Sequence, residues 1–466
     1  MKVQNNISRR SFLKLLGAGS VATAAAFYGC DSNTTNAEDQ TGSNTAEPQA
    51  DKMTYRINPT SKDKVSLLGY GCMRFPTKKK QDSEDEEIDQ EIVNQLVDYA
   101  IAHGVNYFDT SPRYIMGLSE RATGIALKRH PREKYFVATK LSNFDEESQK
   151  RKNAIQMYHD SFKELQVDVI DYYLLHSIGG GGMEAFNKRY VDNGMLDFCL
   201  EEREKGKIRN LGFSYHGDIE VFDYLLSIHD KIKWDFVQIQ LNYVDWKHAS
   251  GSNTNAEYLY AELSKRGIPA VIMEPLLGGR LSTLPQHLFL QLKTRRPENS
   301  AASWAFRYAG SPEGVLTVLS GMVYMEHLLD NLRTFSPLQK ITDDEYVLLE
   351  EIAKEYIQYP LVSCTDCKYC MPCPYGIDIP SIFSFYNKSV NDGTVPTSSQ
   401  DKTYRKLRRD FLISYASKLQ PERQADHCIG CGVCLGKCPQ RIRIPRELNR
   451  INNFVETLKQ GKELTV

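Results

Sequence analysis

The pattern of apolar and polar residues changes at residue 65. From there to residue 335, short apolar runs alternate with longer amphipathic segments. Runs that are apolar throughout predict strands covered on both faces, whereas a 3.6-residue repeat predicts helices. The predicted strands are 65–71, 105–109, 135–140, 169–176, 208–214, 236–241, 269–274 and 315–320. The predicted helices are 86–103, 118–130, 151–166, 196–206, 218–230, 255–266, 298–309 and 325–335.

Eight strand–helix repeats favour one architecture. They occupy roughly 280 residues, close to the ~250 that a (β/α)8 TIM barrel needs. A doubly wound sheet is the alternative, and it usually carries a glycine-rich turn after its first strand. Here that strand ends Gly69-Tyr70-Gly71-Cys72-Met73, without the expected glycine spacing. The sequence therefore predicts an α/β barrel.

Polar side chains end three adjacent predicted strands. Asp109, Lys140 and His176 close the second, third and fourth, and Tyr114 follows Asp109 by five residues. Barrel enzymes place their chemistry at these strand ends. A Tyr has a pKa near ~10, and a neighbouring ammonium such as Lys140 favours its phenolate form. Asp109 would hold Lys140 charged, and His176 could donate a hydrogen bond to a carbonyl oxygen. No side chain supplies hydride, so the pattern predicts a nicotinamide or similar cofactor.

Residues 53–345 resemble the aldo-keto reductases. The motif Phe108-Asp109-Thr110-Ser111-Pro112-Arg113-Tyr114 carries this resemblance. It implies a catalytic set of Asp109, Tyr114, Lys140 and His176, and NADP or NAD lying across the strand ends without a Rossmann domain. The cofactor contacts that it implies are Ser214, Gln238, Met273, Leu276, Gly278, Gly321 and Asn331.

Three departures from the family pattern argue against a clear preference for NADP and leave NAD possible. Tyr215 replaces the usual Asn, Met273 stands where an aromatic residue often stacks on the nicotinamide, and no basic residue follows Gly321 directly.

Eight of the eleven cysteines lie between Cys364 and Cys438. The second run, Cys428-x2-Cys431-x2-Cys434-x3-Cys438-Pro439, has the spacing of bacterial ferredoxins. The first run, Cys364-x2-Cys367-x2-Cys370-x2-Cys373-Pro374, has a last gap one residue shorter, and zinc is its alternative occupant. We therefore predict two [4Fe-4S] clusters in a small, mainly helical ferredoxin-like domain over 346–455.

In two-cluster ferredoxins the fourth cysteine of each run serves the other cluster. This rule would group Cys364, Cys367 and Cys370 with Cys438. It would also group Cys428, Cys431 and Cys434 with Cys373.

The N-terminus has the features of an export signal over residues 1–30. A basic start, Ser8-Arg9-Arg10-Ser11-Phe12-Leu13-Lys14, precedes a short apolar stretch. It resembles a twin-arginine signal, which would carry the protein folded; an ordinary secretory signal is the alternative. Gly29-Cys30 resembles a lipoprotein cleavage site, although Cys30 could be incidental. Residues 31–52 are polar and predict a disordered tether.

These features together predict an exported oxidoreductase, either periplasmic or a membrane-anchored lipoprotein. It would exchange hydride between a nicotinamide and a small carbonyl or alcohol substrate, while the clusters exchange electrons with a redox protein partner. The alternatives are an electron-transfer protein whose barrel is a docking scaffold, and a barrel enzyme with structural clusters. A net charge of -1 gives no reason to expect nucleic acid, and membrane contact is expected only through a lipid on Cys30.

Overall fold

The computed structural model describes residues 40, 42, 46–80, 86–250 and 253–464. The predicted signal peptide, Cys30 and much of the predicted tether lie outside these residues. The described part of the tether contacts the barrel region, since Gln40 Nε2 donates to the carbonyl of Leu284 at 2.5 Å. Among the described residues, no helix has the length and hydropathy needed to span a bilayer.

Eight parallel strands close into a barrel, as predicted. Each strand of the barrel pairs with the next along the chain, and the eighth pairs with the first. The strands are β1 Leu68–Gly71, β2 Tyr107–Asp109, β3 Phe136–Leu141, β4 Ile170–Ile178, β5 Ile208–Tyr215, β6 Phe236–Gln240, β7 Ala270–Met273 and β8 Val315–Ser320. The TIM-barrel prediction is confirmed, with strand ends that differ by at most three residues.

A helix follows every strand of the barrel and covers its outer face. These helices are α1 Gln90–Ala102, α2 Ser119–Leu127, α3 Arg151–Leu165, α4 Met195–Glu204, α5 Ile219–Ser227, α6 Ala256–Lys265, α7 Ala301–Gly310 and α8 Met325–Phe335. In α3 the buried residues are Ala154, Tyr158, Ser161 and Leu165, spaced at helical intervals on one face. Side chains cap several helices; for example, Asp89 accepts a hydrogen bond from the Ile92 amide at the start of α1.

Shorter helices fill the connections between these elements. The α-helical ones are Glu146–Gln149, Gly182–Phe186, His229–Ile232, Asp245–His248 and Gln286–Arg295. The 3-10 helices are Tyr114–Gly117, Arg132–Lys134, Arg280–Ser282, Pro421–Arg423 and Ala425–His427, and Asn187–Val191 is a π-helical turn.

An antiparallel hairpin, Tyr55–Ile57 with Lys64–Ser66, precedes the barrel. Asp63 of this hairpin accepts a hydrogen bond from Tyr172 Oη at 3.1 Å. Inside the barrel, Tyr172 packs edge-on against Tyr107 and Phe236, with ring centroids 5.0 and 5.1 Å away. Aromatic side chains therefore fill the amino end of the barrel, and the opposite end, where the strands finish, is left for a site.

The charged run at 78–91 differs from its predicted form. The sequence favours a loop entering a helix there, but Thr77–Lys79 and Glu86–Ile88 pair as a second antiparallel hairpin. Cross-strand charges such as Lys78 and Glu87 face one another at 4.0 Å. Such exposed pairs contribute little stability, so the hairpin is a surface feature.

Helix α9, Asp343–Tyr356, crosses the predicted domain boundary between residues 345 and 346. Its first turn is tied to the barrel, since Glu345 accepts a hydrogen bond from Arg307 at 2.7 Å. Further along, the Tyr346 ring packs against Tyr308 at 5.1 Å. The change from barrel to cysteine-rich domain therefore comes after this helix.

The C-terminal domain is mainly helical, as predicted. It contains α10 Ile379–Asn391, α11 Tyr404–Lys418 and α12 Ile444–Gln460. These helices share a core separate from that of the barrel, in which the Phe411 ring packs against Phe385 and Phe454 at 5.3 and 5.5 Å. The two cysteine runs are connected to this core by short loops.

Candidate active site and cysteine sets

Asp109 and Lys140 form a buried ion pair at the carboxyl end of the barrel. They end the neighbouring strands β2 and β3, which brings Lys140 Nζ to 2.7 Å from Asp109 Oδ1. Lys140 Nζ also donates to the Thr110 carbonyl at 2.8 Å. Burial raises the pKa of Asp109 and lowers that of Lys140, while their attraction opposes both shifts. A charge pair placed at such a desolvation cost argues for a functional role.

Tyr114 lies beside this pair, in the 3-10 helix that follows β2. Lys140 Nζ stands over its ring, 4.8 Å from the centroid. Burial raises the pKa of Tyr114 well above 10, and Asp109 raises it further. With its pKa raised, Tyr114 stays protonated at neutral pH and able to donate. The role expected of Lys140, easing release of the phenol proton, stays a prediction.

His176 completes the set from strand β4. Its Nδ1 pairs with Ser142 Oγ at 2.6 Å, and Ser142 pairs in turn with Ser111 Oγ at 2.9 Å. Burial, with help from Lys140, lowers the pKa of His176 well below 6.5, so the imidazole is neutral. Because Nδ1 is held by Ser142, Nε2 is the nitrogen left to contact a substrate oxygen.

The four predicted catalytic residues thus lie together. The rings of Tyr114 and His176 meet edge-on, with centroids 6.1 Å apart. A protonated phenol and a neutral imidazole can both donate hydrogen bonds to one carbonyl oxygen, and the Lys140–Asp109 pair lies behind the phenol. This arrangement can polarise a carbonyl group and deliver a proton to its oxygen.

The predicted nicotinamide contacts lie on the next strands around the barrel. Gln238 on β6 is buried, and its Oε1 has no hydrogen-bond partner among the described residues. Ser214 Oγ on β5 accepts from the Ser177 amide at 2.8 Å. An unpaired buried acceptor is costly, and a carboxamide NH2 would satisfy it. This end of the site therefore fits a nicotinamide ring.

Two of the remaining predicted cofactor contacts already form hydrogen bonds within the protein. Asn331 Nδ2 donates to Ser320 Oγ at 2.9 Å, and the Leu276 carbonyl accepts from the Gly279 amide at 2.9 Å. Met273 is buried at the end of β7, and Gly321 follows β8 near Arg74.

Gly278 is covered by the C-terminal domain. A Cβ atom built on Gly278 would lie 2.3 Å from the Thr365 Cα. The Thr365 carbonyl also accepts a hydrogen bond from Arg74 Nη2. The predicted cofactor contact at Gly278 is therefore taken by the protein's own backbone while Thr365 is docked, so a nucleotide would have to pass this loop without touching Gly278.

Further contacts dock the C-terminal domain over the barrel mouth. Gln440 Nε2 donates to Gln240 Oε1 at 3.2 Å, and Asn253 Nδ2 donates to Gln440 Oε1 at 2.8 Å. Arg441 Nη2 donates to the carbonyl of Gly179, the residue that follows β4, at 2.9 Å. The two domains therefore share one surface at the strand ends.

Two residues near the site had no assigned role from the sequence. Glu274 follows β7 directly, in the left-handed region at φ 54°, and burial raises its pKa against the influence of Arg74. Tyr369 comes from the first cysteine run, and its ring lies 6.5 Å from that of His176. No sequence signal connects Tyr369 to a barrel strand so distant along the chain.

Four cysteines from both runs surround one cavity. Cys364, Cys367, Cys370 and Cys438 line one pocket, together with Thr365 and Gln440. We call these four the inner set. Burial raises the pKa of their thiols, to about 11 for Cys364 and about 12 for Cys370.

The other four cysteines, the outer set, lie nearer the surface. Burial and the charges of Cys428, Cys431 and Cys373 raise the pKa of Cys434, so these thiols lie within electrostatic range of it. Cys431 is exposed. Among the described residues, no three His, Cys, Asp or Glu side chains are arranged to hold a single metal ion. Thiolates in both sets suit the larger iron–sulfur cluster, which carries its own sulfides.

Comparison with known proteins agrees with this geometry. The Aldo/keto reductase family matches residues 67–354, more than half of the chain. The chain belongs to the aldo/keto reductase family. A 4Fe-4S dicluster domain matches residues 363–443, which favours iron–sulfur over the zinc alternative for the first run. The protein is thus an oxidoreductase of a family that usually depends on NAD(P), fused to an iron–sulfur domain.

Relatives resemble the aldo/keto reductase part of the chain. L-galactose dehydrogenase of Arabidopsis thaliana is 24% identical over 309 residues, covering 62% of this chain and 89% of the relative. Protein tas of Escherichia coli K12 is 32% identical over 200 residues, covering 37% of this chain and 55% of the relative. An aldo-keto reductase from Bacillus halodurans, solved in its holo form, matches 64% of this chain and 96% of its own length, with a TM-score of 0.51 and 23% identity. That similarity supports the fold.

Proposed function

We propose that the protein exchanges hydride between a nicotinamide cofactor and a carbonyl or alcohol substrate. The observation that carries this is the buried Lys140–Asp109 pair beside a protonated Tyr114 and a neutral His176. The cofactor, when bound, supplies the hydride. In the reducing direction His176 and Tyr114 orient the carbonyl oxygen, and the Tyr114 hydroxyl gives it a proton. Alcohol oxidation reverses this proton transfer.

We further propose that each cysteine set holds one [4Fe-4S] cluster. The grouping follows the crossed arrangement, because Cys438 lines the inner cavity and Cys373 lies near Cys434. These clusters would exchange single electrons with a redox protein, at the outer set where Cys431 is exposed.

The cellular location belongs to the same proposal. The Arg9-Arg10 signal supports export of the folded protein, and Cys30 supports attachment through a lipid. Export after folding would allow clusters and nucleotide to be inserted in the cytoplasm. Free nicotinamide nucleotide is not expected outside the cytoplasm, so a nucleotide would have to travel with the protein.

The test of this function uses the exported full chain, purified without oxygen. We expect iron and sulfide for two [4Fe-4S] clusters, a nicotinamide nucleotide detected by mass spectrometry, and reduction of members of a panel of aldehydes, ketones and aldoses. Aldoses belong in the panel because a relative is an L-galactose dehydrogenase. Protein with full clusters that reduces no carbonyl compound with NADH or NADPH would instead favour the docking-scaffold alternative.

A cysteine variant tests the crossed grouping. Cys373→Ser should weaken the cluster of the outer set and leave that of the inner set intact, because Cys373 lies with Cys434. Electron paramagnetic resonance of the reduced protein can follow the two clusters separately. Cys438→Ser, the matched variant, should do the reverse. Damage confined to the inner cluster in Cys373→Ser would overturn the grouping.

A further inference from the structure

Tyr369 reaches from the iron–sulfur domain into the reductase site. Its ring centroid lies 6.5 Å from that of His176 and 6.1 Å from that of Phe144. Phe144 itself lies 5.0 Å from His176. The imidazole therefore has two aromatic neighbours, one from each domain.

The backbone around Tyr369 is fixed from two directions. Its backbone amide lies close enough to Cys367, a member of the inner set, to lower the pKa of that thiol against the effect of burial. A few residues earlier, the carbonyl of Thr365 is held by Arg74 and its Cα rests against Gly278. The segment can therefore hold the Tyr369 ring over the barrel mouth without help from a substrate.

We propose that Tyr369 is a substrate-positioning residue that the iron–sulfur domain supplies to the reductase site. This rests on the proposed carbonyl chemistry. Tyr369 and Phe144 form an aromatic wall beside His176. The imidazole of His176 is the ring that would donate a hydrogen bond to the substrate oxygen. Aromatic faces attract flat and ring-shaped groups. The site is thus built for a cyclic carbonyl compound, in preference to a short linear one.

The backbone of Tyr369 connects the aromatic wall to Cys367 of the inner set. Hydrogen bonds to cysteine sulfurs help set the properties of a bound cluster. A substrate that contacts the Tyr369 ring acts on the same residue whose backbone amide lies beside Cys367. Substrate binding in the barrel should therefore be detectable at the inner cluster.

The test compares Tyr369→Ala with Tyr375→Ala in the full chain. Tyr375 is 45% exposed and follows the same cysteine run, so it controls for loss of a tyrosine in this domain. Tyr369→Ala should raise KM for cyclic carbonyl compounds about three- to ten-fold and leave kcat and the kinetics of short linear ones unchanged. Tyr375→Ala should leave KM and kcat unchanged for both cyclic and linear compounds. Equal effects on cyclic and linear substrates would overturn the proposal.

A variant in the barrel controls for the possibility that Tyr369→Ala disrupts the cysteine loop. Phe144 lies far from the cysteines in the sequence. Phe144→Ala should produce the same selective rise in KM as Tyr369→Ala. A second readout needs no turnover: a cyclic carbonyl compound should shift the resonance spectrum of the inner cluster in the unmodified protein, and not in Tyr369→Ala. An unchanged KM in Phe144→Ala, or an equal spectral shift in Tyr369→Ala, would refute the wall. Failure of the unmodified protein to reduce any carbonyl would refute the proposed function instead.

Discussion

Replacing Tyr114 by phenylalanine should lower kcat/KM for carbonyl reduction about 10²- to 10⁴-fold, the usual worth of a positioned proton donor. The phenyl ring keeps the contact with Lys140 Nζ, 4.8 Å above its centroid, and removes only the hydroxyl. Burial keeps that hydroxyl protonated at neutral pH, so it is the group able to give the oxygen its proton. Steady-state kinetics on any carbonyl compound that the unmodified protein reduces will measure the loss.

The matched control is Tyr107→Phe. Tyr107 is equally buried, and its hydroxyl has no hydrogen-bond partner among the described residues. It lies among the aromatic rings at the amino end of the barrel, so this change should leave the rate near that of the unmodified protein. If Tyr114→Phe and Tyr107→Phe retain the same activity, Tyr114 is not the proton donor.

Docking of the iron–sulfur domain should depend sharply on Gly278. Gly278→Ala would place a methyl group 2.3 Å from the Thr365 Cα, and backbone has no side-chain rotamer through which to yield. Overpacking of this kind costs about 1–3 kcal/mol, enough to shift a docking equilibrium roughly five- to 150-fold. Hydrogen–deuterium exchange should therefore rise in residues 363–370 and in the loop after β7.

Gly279→Ala separates this docking effect from backbone strain. Both glycines have positive φ, 71° and 92°, so alanine is strained at either position. A Cβ on Gly279, however, would meet nothing within 4 Å. Exchange in 363–370 should remain low in this variant. The same rise in both variants would mean that strain in the loop, and not contact with Thr365, causes it.

The barrel could be predicted because each buried strand leaves a continuous apolar run and each helix leaves a periodic one. Strand ends then placed Asp109, Lys140 and His176 at one rim. The hairpin of Thr77–Lys79 was not predicted, because its residues are charged and exposed on both faces.

Contacts between domains and the effects of burial could not be predicted. Tyr369 meets His176 only because the whole C-terminal domain folds back over the mouth. The raised pKa of Tyr114 was not predicted, since charge type is visible in the sequence but the extent of burial is not. The signal peptide and Cys30 stay predictions.

The inner cavity also implies an order of maturation. Thr365 and Gln440 line the space among the inner cysteines, and the same two residues contact the barrel. Docking therefore closes one side of this cavity, whereas Cys431 of the outer set stays exposed. We expect the cell's iron–sulfur assembly machinery to fill the inner set before the domain settles on the barrel. If the C-terminal domain docked before the inner set was filled, iron and sulfide would no longer reach these cysteines.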